Sequence, residues 1–310
     1  DWGKWNANYW LAAYEDFLEF FFAQVFSEPH STKQREDCGG WALETDAETL
    51  VATQLAPRMR DETEVRALTD RIRCPVLVIH GRDDAVRPHD SGAALAAMTN
   101  GTLISLEGCG HCPHARDPVK VNLILRDFVG RRPAATSEWT RAKARRKRAL
   151  YISSPIGLGH AQRDVAIARE LRELHPDLEI DWLAQDPVTR VLEAEGERIH
   201  PASAELANES GHIESESAEH DLHCFQAWRR MDEILISNFM VFHDLVEGDP
   251  YDLWIGDEAW ELDYFLHENP ELKRAAYCWL TDFVGWLPMP DGGEHEAFLT
   301  ADYNAEMVEH

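Results

Sequence analysis

Cys74-Pro75-Val76-Leu77-Val78-Ile79-His80-Gly81-Arg82-Asp83-Asp84-Ala85-Val86-Arg87-Pro88 decides the fold of the first part of this chain. Residues 75–80 form a short β-branched, apolar run, the pattern of a strand buried on both faces of a parallel sheet. Downstream, residues 91–98 carry helical periodicity, 102–106 read as a second strand and 118–129 as a helix. Strand, helix, strand, helix is the alternation of an α/β sheet. Upstream, residues 9–25 predict one helix with aromatics on much of its surface: Tyr9, Trp10, Tyr14, Phe17, Phe20, Phe21 and Phe22. A helix apolar nearly all round must be covered by something larger.

The whole chain has 310 residues, about twice the ~150 usual for one domain, so two domains are expected. Its 44% apolar content excludes a disordered or collagen-like chain. With 56 acidic against 30 basic residues it carries a formal charge of −26, which repels phosphate backbones and anionic lipids. No nucleic-acid partner is expected. The longest strongly apolar stretch, around residues 17–26, is interrupted by Glu19 and falls short of the ~18 residues of a spanning helix. Six scattered cysteines, at 38, 74, 109, 112, 224 and 278, do not form a disulfide framework and fit a reducing, cytoplasmic setting. A start at Asp1, without Met or targeting pattern, predicts a chain truncated at its N-terminus.

Residues 131–148 hold eight basic residues against the single Glu138. A polar, one-sign segment between apolar-patterned regions predicts an interdomain linker. After it the alternation restarts: a strand at 149–153, a tight turn at 157–159, a helix at 160–174 and a strand at 178–183. Further strands are expected at 252–255 and 275–280. Between them, residues 201–221 contain six acids and no base, predicting a solvated loop. Leu222, Phe225, Trp228, Met231, Ile234, Leu235, Phe239 and Phe242 then recur at helical spacing, a core stripe.

Two loops carry the chemistry of the first region. Gly81–Pro88 follows the first strand, and Gly108-Cys109-Gly110-His111-Cys112-Pro113 follows the second. Catalytic groups of open α/β sheets sit outside the carboxyl ends of strands. A carboxylate that accepts an imidazole N–H fixes the tautomer and lets the histidine act as a base.

Residues 75–129 resemble the last two strands and final helix of the α/β-hydrolase family, with its G-x-x-D-x-x-x-P acid loop and G-x-G-H-type histidine loop. The resemblance implies Asp84 as the triad acid, with Asp83 as the neighbouring alternative, and His111 as the general base. His80, His89 and His114 match no family position. Residues 2–68 would be part of the helical lid, which implies an apolar substrate, a small-molecule or lipid-like ester. The family's nucleophile elbow, G-x-S-x-G or its Asp counterpart, occurs nowhere in the chain. The elbow and the oxyanion loop precede the lid in family order, so they are expected upstream of Asp1. Esterase, dehalogenase and epoxide hydrolase chemistry stay open without the nucleophile. Cys109-x-x-Cys112 invites a zinc or redox reading, but no second ligand pair follows at suitable spacing, so no metal is expected.

In the second region, Ser153-Ser154-Pro155-Ile156-Gly157-Leu158-Gly159-His160-Ala161-Gln162-Arg163-Asp164 joins strand to helix. Gly157 and Gly159 permit close approach of a ligand, and the helix N-terminus favours developing negative charge. A third dinucleotide-fingerprint glycine and a G-K-[ST] loop are both absent. Residues 149–290 resemble the N-terminal Rossmann half of GT-B glycosyltransferases of the UDP-glycosyltransferase and MurG-like type. That resemblance implies His160 as the base for an acceptor hydroxyl, Asp257 as its acid partner, and Arg163 on a phosphate or the acceptor. It implies a nucleotide sugar as co-substrate, with no resident cofactor. The donor half normally follows, so the chain is expected to be cut at its C-terminus too.

The expectation is therefore an α/β chain. Residues 1–130 are the lid and C-terminal part of a hydrolase sheet, 131–148 a basic linker and 149–310 the acceptor-side GT-B domain. The parent would be a hydrolase–glycosyltransferase fusion, and this fragment inactive by itself. The rival reading is a non-catalytic binding or scaffold protein built from degenerate domains of both kinds.

Overall fold

The computed structural model describes residues 1–56, 62–130, 146–216, 224–290 and 293–310. The chain divides into two compact units, Asp1–Arg131 and Arg132–His310. Both are α/β with parallel strands.

In the first unit, β1 (Leu77–Gly81) and β2 (Thr102–Leu106) pair in parallel, from Leu77 opposite Thr102 to Gly81 opposite Leu106. The helix His89–Thr99 connects them and ends at Asn100 in the left-handed conformation, φ 50°, which Asn tolerates better than most residues. The helix Pro118–Gly130 follows β2 and buries Val119 and Val121. Leu106, Cys109 and Val121 form a small core with Ile79, Ile104 and Ile124 packed against it.

The single helix expected over 9–25 is two helices, Ala7–Ala12 and Tyr14–Val25, broken at Ala13 (φ −151°, ψ 62°). Asn6 caps the first through Oδ1, which accepts the Tyr9 N–H at 2.9 Å. A straight helix with aromatics on every face would leave part of them in water. The break instead gathers Trp10, Phe17, Leu18 and Ala47 into one buried cluster, with the Trp10 and Phe17 rings 5.3 Å apart. Helices Thr32–Ala42, Ala47–Leu55 and Glu62–Thr69 complete the stretch assigned to a lid.

The second unit holds four parallel strands, β3 (Arg148–Ser153), β4 (Glu179–Ala184), β5 (Leu253–Asp257) and β6 (Ala276–Leu280), in the order β4-β3-β5-β6. Central β3 is buried from Ala149 to Ser153, as its apolar run requires. Tyr151 on β3 stacks on Trp182 of β4, ring centroids 4.4 Å apart, within a core that includes Val165, Ala168 and Leu192. Because all four strands run the same way, Ser153, Ala184, Asp257 and Leu280 end on one edge of the sheet.

Arg148, the last residue assigned to the linker, belongs to β3 instead. Its guanidinium donates to Asp249 and Asp181, both at 2.8 Å, and to the Tyr251 hydroxyl at 3.1 Å. Paired in this way its charge suits a strand end. Linker residues 131–145 lie outside the described residues.

The acidic stretch from 201 is also not a solvated loop as far as it is described. It forms a short 3-10 turn, Pro201–Glu205, and the helix Glu209–Glu216. The reason is Glu209, which is buried and accepts from Gln185 Nε2 at 3.1 Å and Asn238 Nδ2 at 2.8 Å. A buried carboxylate with two donors anchors a segment that net charge alone would leave in water. The apolar stripe that follows lies on two helices, Cys224–Arg229 and Asp232–Gly248, with Phe225, Met231, Phe239 and Phe242 buried. Leu222 and residues 217–221 lie outside the described residues. Among the described residues no helix is long and apolar enough to cross a membrane.

Candidate active sites

In the first unit the acid and histidine loops leave neighbouring parallel strands, so their side chains meet. His111 Nδ1 lies 2.8 Å from Asp84 Oδ2. Asp84 Oδ1 accepts the backbone N–H groups of Val86 (2.8 Å) and Arg87 (2.7 Å). The carboxylate is thereby locked by its own turn, an Asx-type arrangement. Its side chain is 2% exposed, and that of His111 is 31% exposed. Burial pushes the Asp84 carboxyl up, but the Arg87 N–H, the His111 ring and the Val86 N–H outweigh it and hold the group below its ordinary value. The neighbouring alternative, Asp83, is exposed, and its N–H donates to the Cys109 carbonyl at 3.0 Å. Asp84 is therefore the acid that meets His111.

Two partners of this pair were not foreseen. His80 Nε2 lies 3.1 Å from Asp84 Oδ2 and 3.1 Å from the Arg87 carbonyl. Both neighbours only accept, so Nε2 carries a proton, and His80 is a second donor to the acid. Glu28, which is buried, accepts the Gly110 N–H through Oε1 at 2.5 Å, and the His111 N–H donates to the Val25 carbonyl at 3.1 Å. The end of the helix Tyr14–Val25 and the chain just after it thus brace the histidine loop. Gly81 completes the fit: a Cβ there would lie 2.1 Å from the Gly110 carbonyl oxygen. No side chain fits where β1 passes under the loop. His89 Nε2 meets Ser105 Oγ at 2.7 Å, and His114 is exposed; neither reaches Asp84 in the described contacts.

Cys109 is buried with its thiol donating to Asp117 Oδ2 at 2.6 Å. Burial, then that bond, pushes its thiol up to about 12, and burial pushes Cys112 up to about 11. Protonated thiols are poor ligands and poor nucleophiles. Among the described residues, no cluster of three or more metal-type ligands includes either cysteine.

In the second unit the loop after β3 starts the helix Leu158–Leu174 with Gly157 as its N-cap. A Cβ on Gly157 would approach the His160 ring to 3.2 Å, whereas Gly159 faces open space. Neither glycine takes a positive φ, so the close approach at this turn is between Gly157 and the histidine ring. Ser153 and Asp257 are partners across β3 and β5, which brings the first turn of that helix over Asp257. His160 Nδ1 lies 3.1 Å from Asp257 Oδ2, with the Asp257 side chain fully buried and that of His160 26% exposed.

Arg163, one helical turn on, places Nη2 on Asp257 Oδ1 and 2.9 Å from His160 Nδ1, and Nη1 3.3 Å from Asp282 Oδ2. His160 Nδ1 is therefore flanked by a carboxylate that accepts and a guanidinium that donates. With its proton on Nδ1 the ring donates to Asp257 and presents the Nε2 lone pair; with its proton on Nε2, which faces Asp282 Oδ2 at 3.9 Å, Nδ1 accepts from Arg163 instead. Arg163 was expected on a phosphate or acceptor; here two carboxylates already hold its guanidinium.

Behind this pair, Asp164 is wholly buried and accepts from Tyr151 (2.9 Å) and Ser153 (2.5 Å). Burial raises its carboxyl to about 7, with the Asp257 charge adding and the Ser153 and Tyr151 hydroxyls opposing. His160, Asp257 and Glu258 also bring ligand-type atoms within 4.8 Å of one another. The Arg163 guanidinium beside Asp257 repels a cation there, so this cluster makes a poor metal site.

Residues 2–122 match the profile of the Alpha/beta hydrolase family. "Putative carbamate hydrolase RutD" of Pseudomonas syringae pv. syringae is 38% identical over 71 residues, 23% of this chain and 27% of that protein. Pimeloyl-[acyl-carrier protein] methyl ester esterase of Aromatoleum aromaticum is 33% identical over 69 residues, 22% of this chain and 28% of that protein. The chain thus spans 27–28% of the length of these two relatives. Among solved structures, the glycosyltransferase SnogD from Streptomyces nogalater aligns with a TM-score of 0.32 and 15% identity over 53% of this chain and 41% of its own. Leishmania major tyrosyl-tRNA synthetase aligns with a TM-score of 0.27 and 11% identity, covering 66% and 34%.

Proposed function

We propose that the first unit, which carries an α/β-hydrolase family domain over residues 2–122, supplies the acid and general base of an ester-cleaving site. The observation that carries this reading is the 2.8 Å contact between His111 Nδ1 and a buried, turn-locked Asp84. With its proton on Nδ1, His111 offers the Nε2 lone pair to a nucleophile's hydroxyl. The hydroxyl oxygen bonds to the ester carbonyl carbon as its proton moves to Nε2. That proton then passes to the departing alkoxide as the acyl C–O bond breaks, and water reverses the sequence to free the acid. Asp84 holds the tautomer and offsets the charge on the imidazolium. The similarity to a carbamate hydrolase and a methyl ester esterase favours acyl chemistry over dehalogenation or epoxide opening.

No G-x-S-x-G elbow occurs in these 310 residues, so this reading requires a nucleophile that the motif does not identify among them. The 310-residue chain alone is expected to show neither a burst nor turnover of p-nitrophenyl esters, while a form that includes a nucleophile-bearing segment turns them over. Turnover by the 310-residue chain that His111→Ala removes would overturn the missing nucleophile. A longer form with Gly or Ala at the elbow and no turnover would favour a non-catalytic scaffold.

For the second unit the pairing of His160 with buried Asp257 supports glycosyl transfer. His160 Nε2 takes the proton of an acceptor hydroxyl, whose oxygen bonds to the anomeric carbon while the donor's nucleoside diphosphate leaves with the bonding electrons. The donor is a nucleotide sugar, and no resident cofactor is invoked.

A further inference from the structure

His80 and His111 share one oxygen of the acid. Asp84 Oδ2 lies 2.8 Å from His111 Nδ1 and 3.1 Å from His80 Nε2, while Oδ1 is taken by the N–H groups of Val86 and Arg87. An ionised carboxylate offers about four lone-pair sites, and four donors fill them here. We propose that His80 is a positioning residue of the ester-cleaving site: its N–H draws charge from the oxygen that faces His111 and so limits how firmly Asp84 holds that ring.

The surroundings of His80 aim it at the acid and leave it little else to do. Its Nε2 lies 3.1 Å from the Arg87 carbonyl as well, so one N–H ties both the side chain of Asp84 and the backbone three residues on. The helix His89–Thr99 closes the other side of the ring: a Cβ on Gly92 would lie 2.4 Å from His80 Nδ1. Nδ1 has no hydrogen-bond partner among the described contacts, so the ring needs only its Nε2 proton. The His89 ring meets that of His80 nearly edge-on, centroids 5.5 Å apart, and is itself tied through Nε2 to Ser105 Oγ at 2.7 Å. Ser105 is the residue opposite His80 in the β1–β2 pairing, so both strands support the arrangement.

The two backbone N–H groups on Oδ1 already fix the direction of the carboxylate. What His80 changes is the charge left on Oδ2, because two donors on one oxygen each weaken the bond of the other. His111 has to take the nucleophile's proton and then release it to the departing alkoxide. An Oδ2 reserved for His111 alone would favour the first step and oppose the second, by stabilising the imidazolium.

The value of this balance for catalysis rests on the ester-cleaving reading; the coupling of the two rings through Asp84 does not, and it is measured on the 310-residue chain without a nucleophile. Nitrogen NMR at one fixed, mildly alkaline pH reads His111 Nδ1 through the carbon-bound ring protons. His80→Phe keeps a ring against Gly92 and His89 but removes the donor, and should move His111 Nδ1 downfield. His80→Gln, whose amide N–H reaches about as far as imidazole Nε2, should return it toward its native position. Packing alone predicts the reverse order, with Phe the milder change. Circular dichroism checks folding, and His80→Leu takes the place of Phe if that variant does not fold. In a form with a nucleophile, the donor-less variant should slow methyl esters about three- to tenfold more than p-nitrophenyl esters, whose leaving group departs without a proton. A form that cleaves no ester would reject the ester-cleaving reading, while the NMR result still decides the coupling. A His111 nitrogen that stays in place or moves upfield in the donor-less variant, or a Gln variant that matches it, would overturn the proposal.

Discussion

Asp84→Asn is expected to lower ester turnover by about 10⁴-fold in a form of the protein that contains the nucleophile, with KM nearly unchanged. The loss follows from which atom of the asparagine faces His111. Oδ1 of Asp84 is fixed as an acceptor by the N–H groups of Val86 and Arg87, so an amide there must keep its oxygen on that side. Its NH₂ then takes the place of Oδ2, 2.8 Å from His111 Nδ1 and 3.1 Å from His80 Nε2. A donor at that point forces the proton of His111 onto Nε2 and removes the lone pair the nucleophile needs. Steady-state kinetics on p-nitrophenyl esters check this. A loss below about tenfold would show that Asp84 only fixes the turn.

His160→Ala in a form of the protein competent for sugar transfer should slow transfer on the order of 10²- to 10⁴-fold while leaving donor binding intact, because a general base acts in the transition state rather than on the bound donor. Asp257→Asn should lower the rate as well, since its buried carboxylate is the acceptor 3.1 Å from Nδ1 in the tautomer whose Nε2 lone pair acts as the base. Transfer rates and donor titrations on the same preparations separate the two effects. An unchanged rate with His160→Ala would reject it as the base and leave the parallel sheet of the second unit as it stands.

Much of this architecture was legible because strands buried on both faces are written as continuous apolar runs. Residues 75–80 and 149–153 each announced a parallel strand, and the loops at their carboxyl ends held Asp84 and His160. The pairs Asp84–His111 and His160–Asp257 were readable because each joins two strand ends, a place that topology fixes. Contacts set by packing were not readable. Glu28 meets Gly110 across 82 positions, and nothing at 28 marks it as the brace of a histidine loop. His80 looked like a strand residue, and only the turn after β1 brings Asp84 back onto its ring. Glu209 sat in a run of acids that composition assigns to water, whereas Gln185 and Asn238 hold it inside. The break at Ala13 left no Gly or Pro signature because it serves the burial of Trp10 and Phe17 rather than a local backbone preference.

Whether Asp84 sets His111 up as a base can be read by nitrogen NMR of the histidine rings in the 310-residue chain, which needs neither nucleophile nor substrate. His111 is expected to carry its proton on Nδ1, hydrogen-bonded to Asp84 Oδ2, with Nε2 bare, and Asp84→Ala is expected to abolish this arrangement. A His111 ring protonated on Nε2 with Nδ1 bare, or one whose signals do not change in Asp84→Ala, would contradict it.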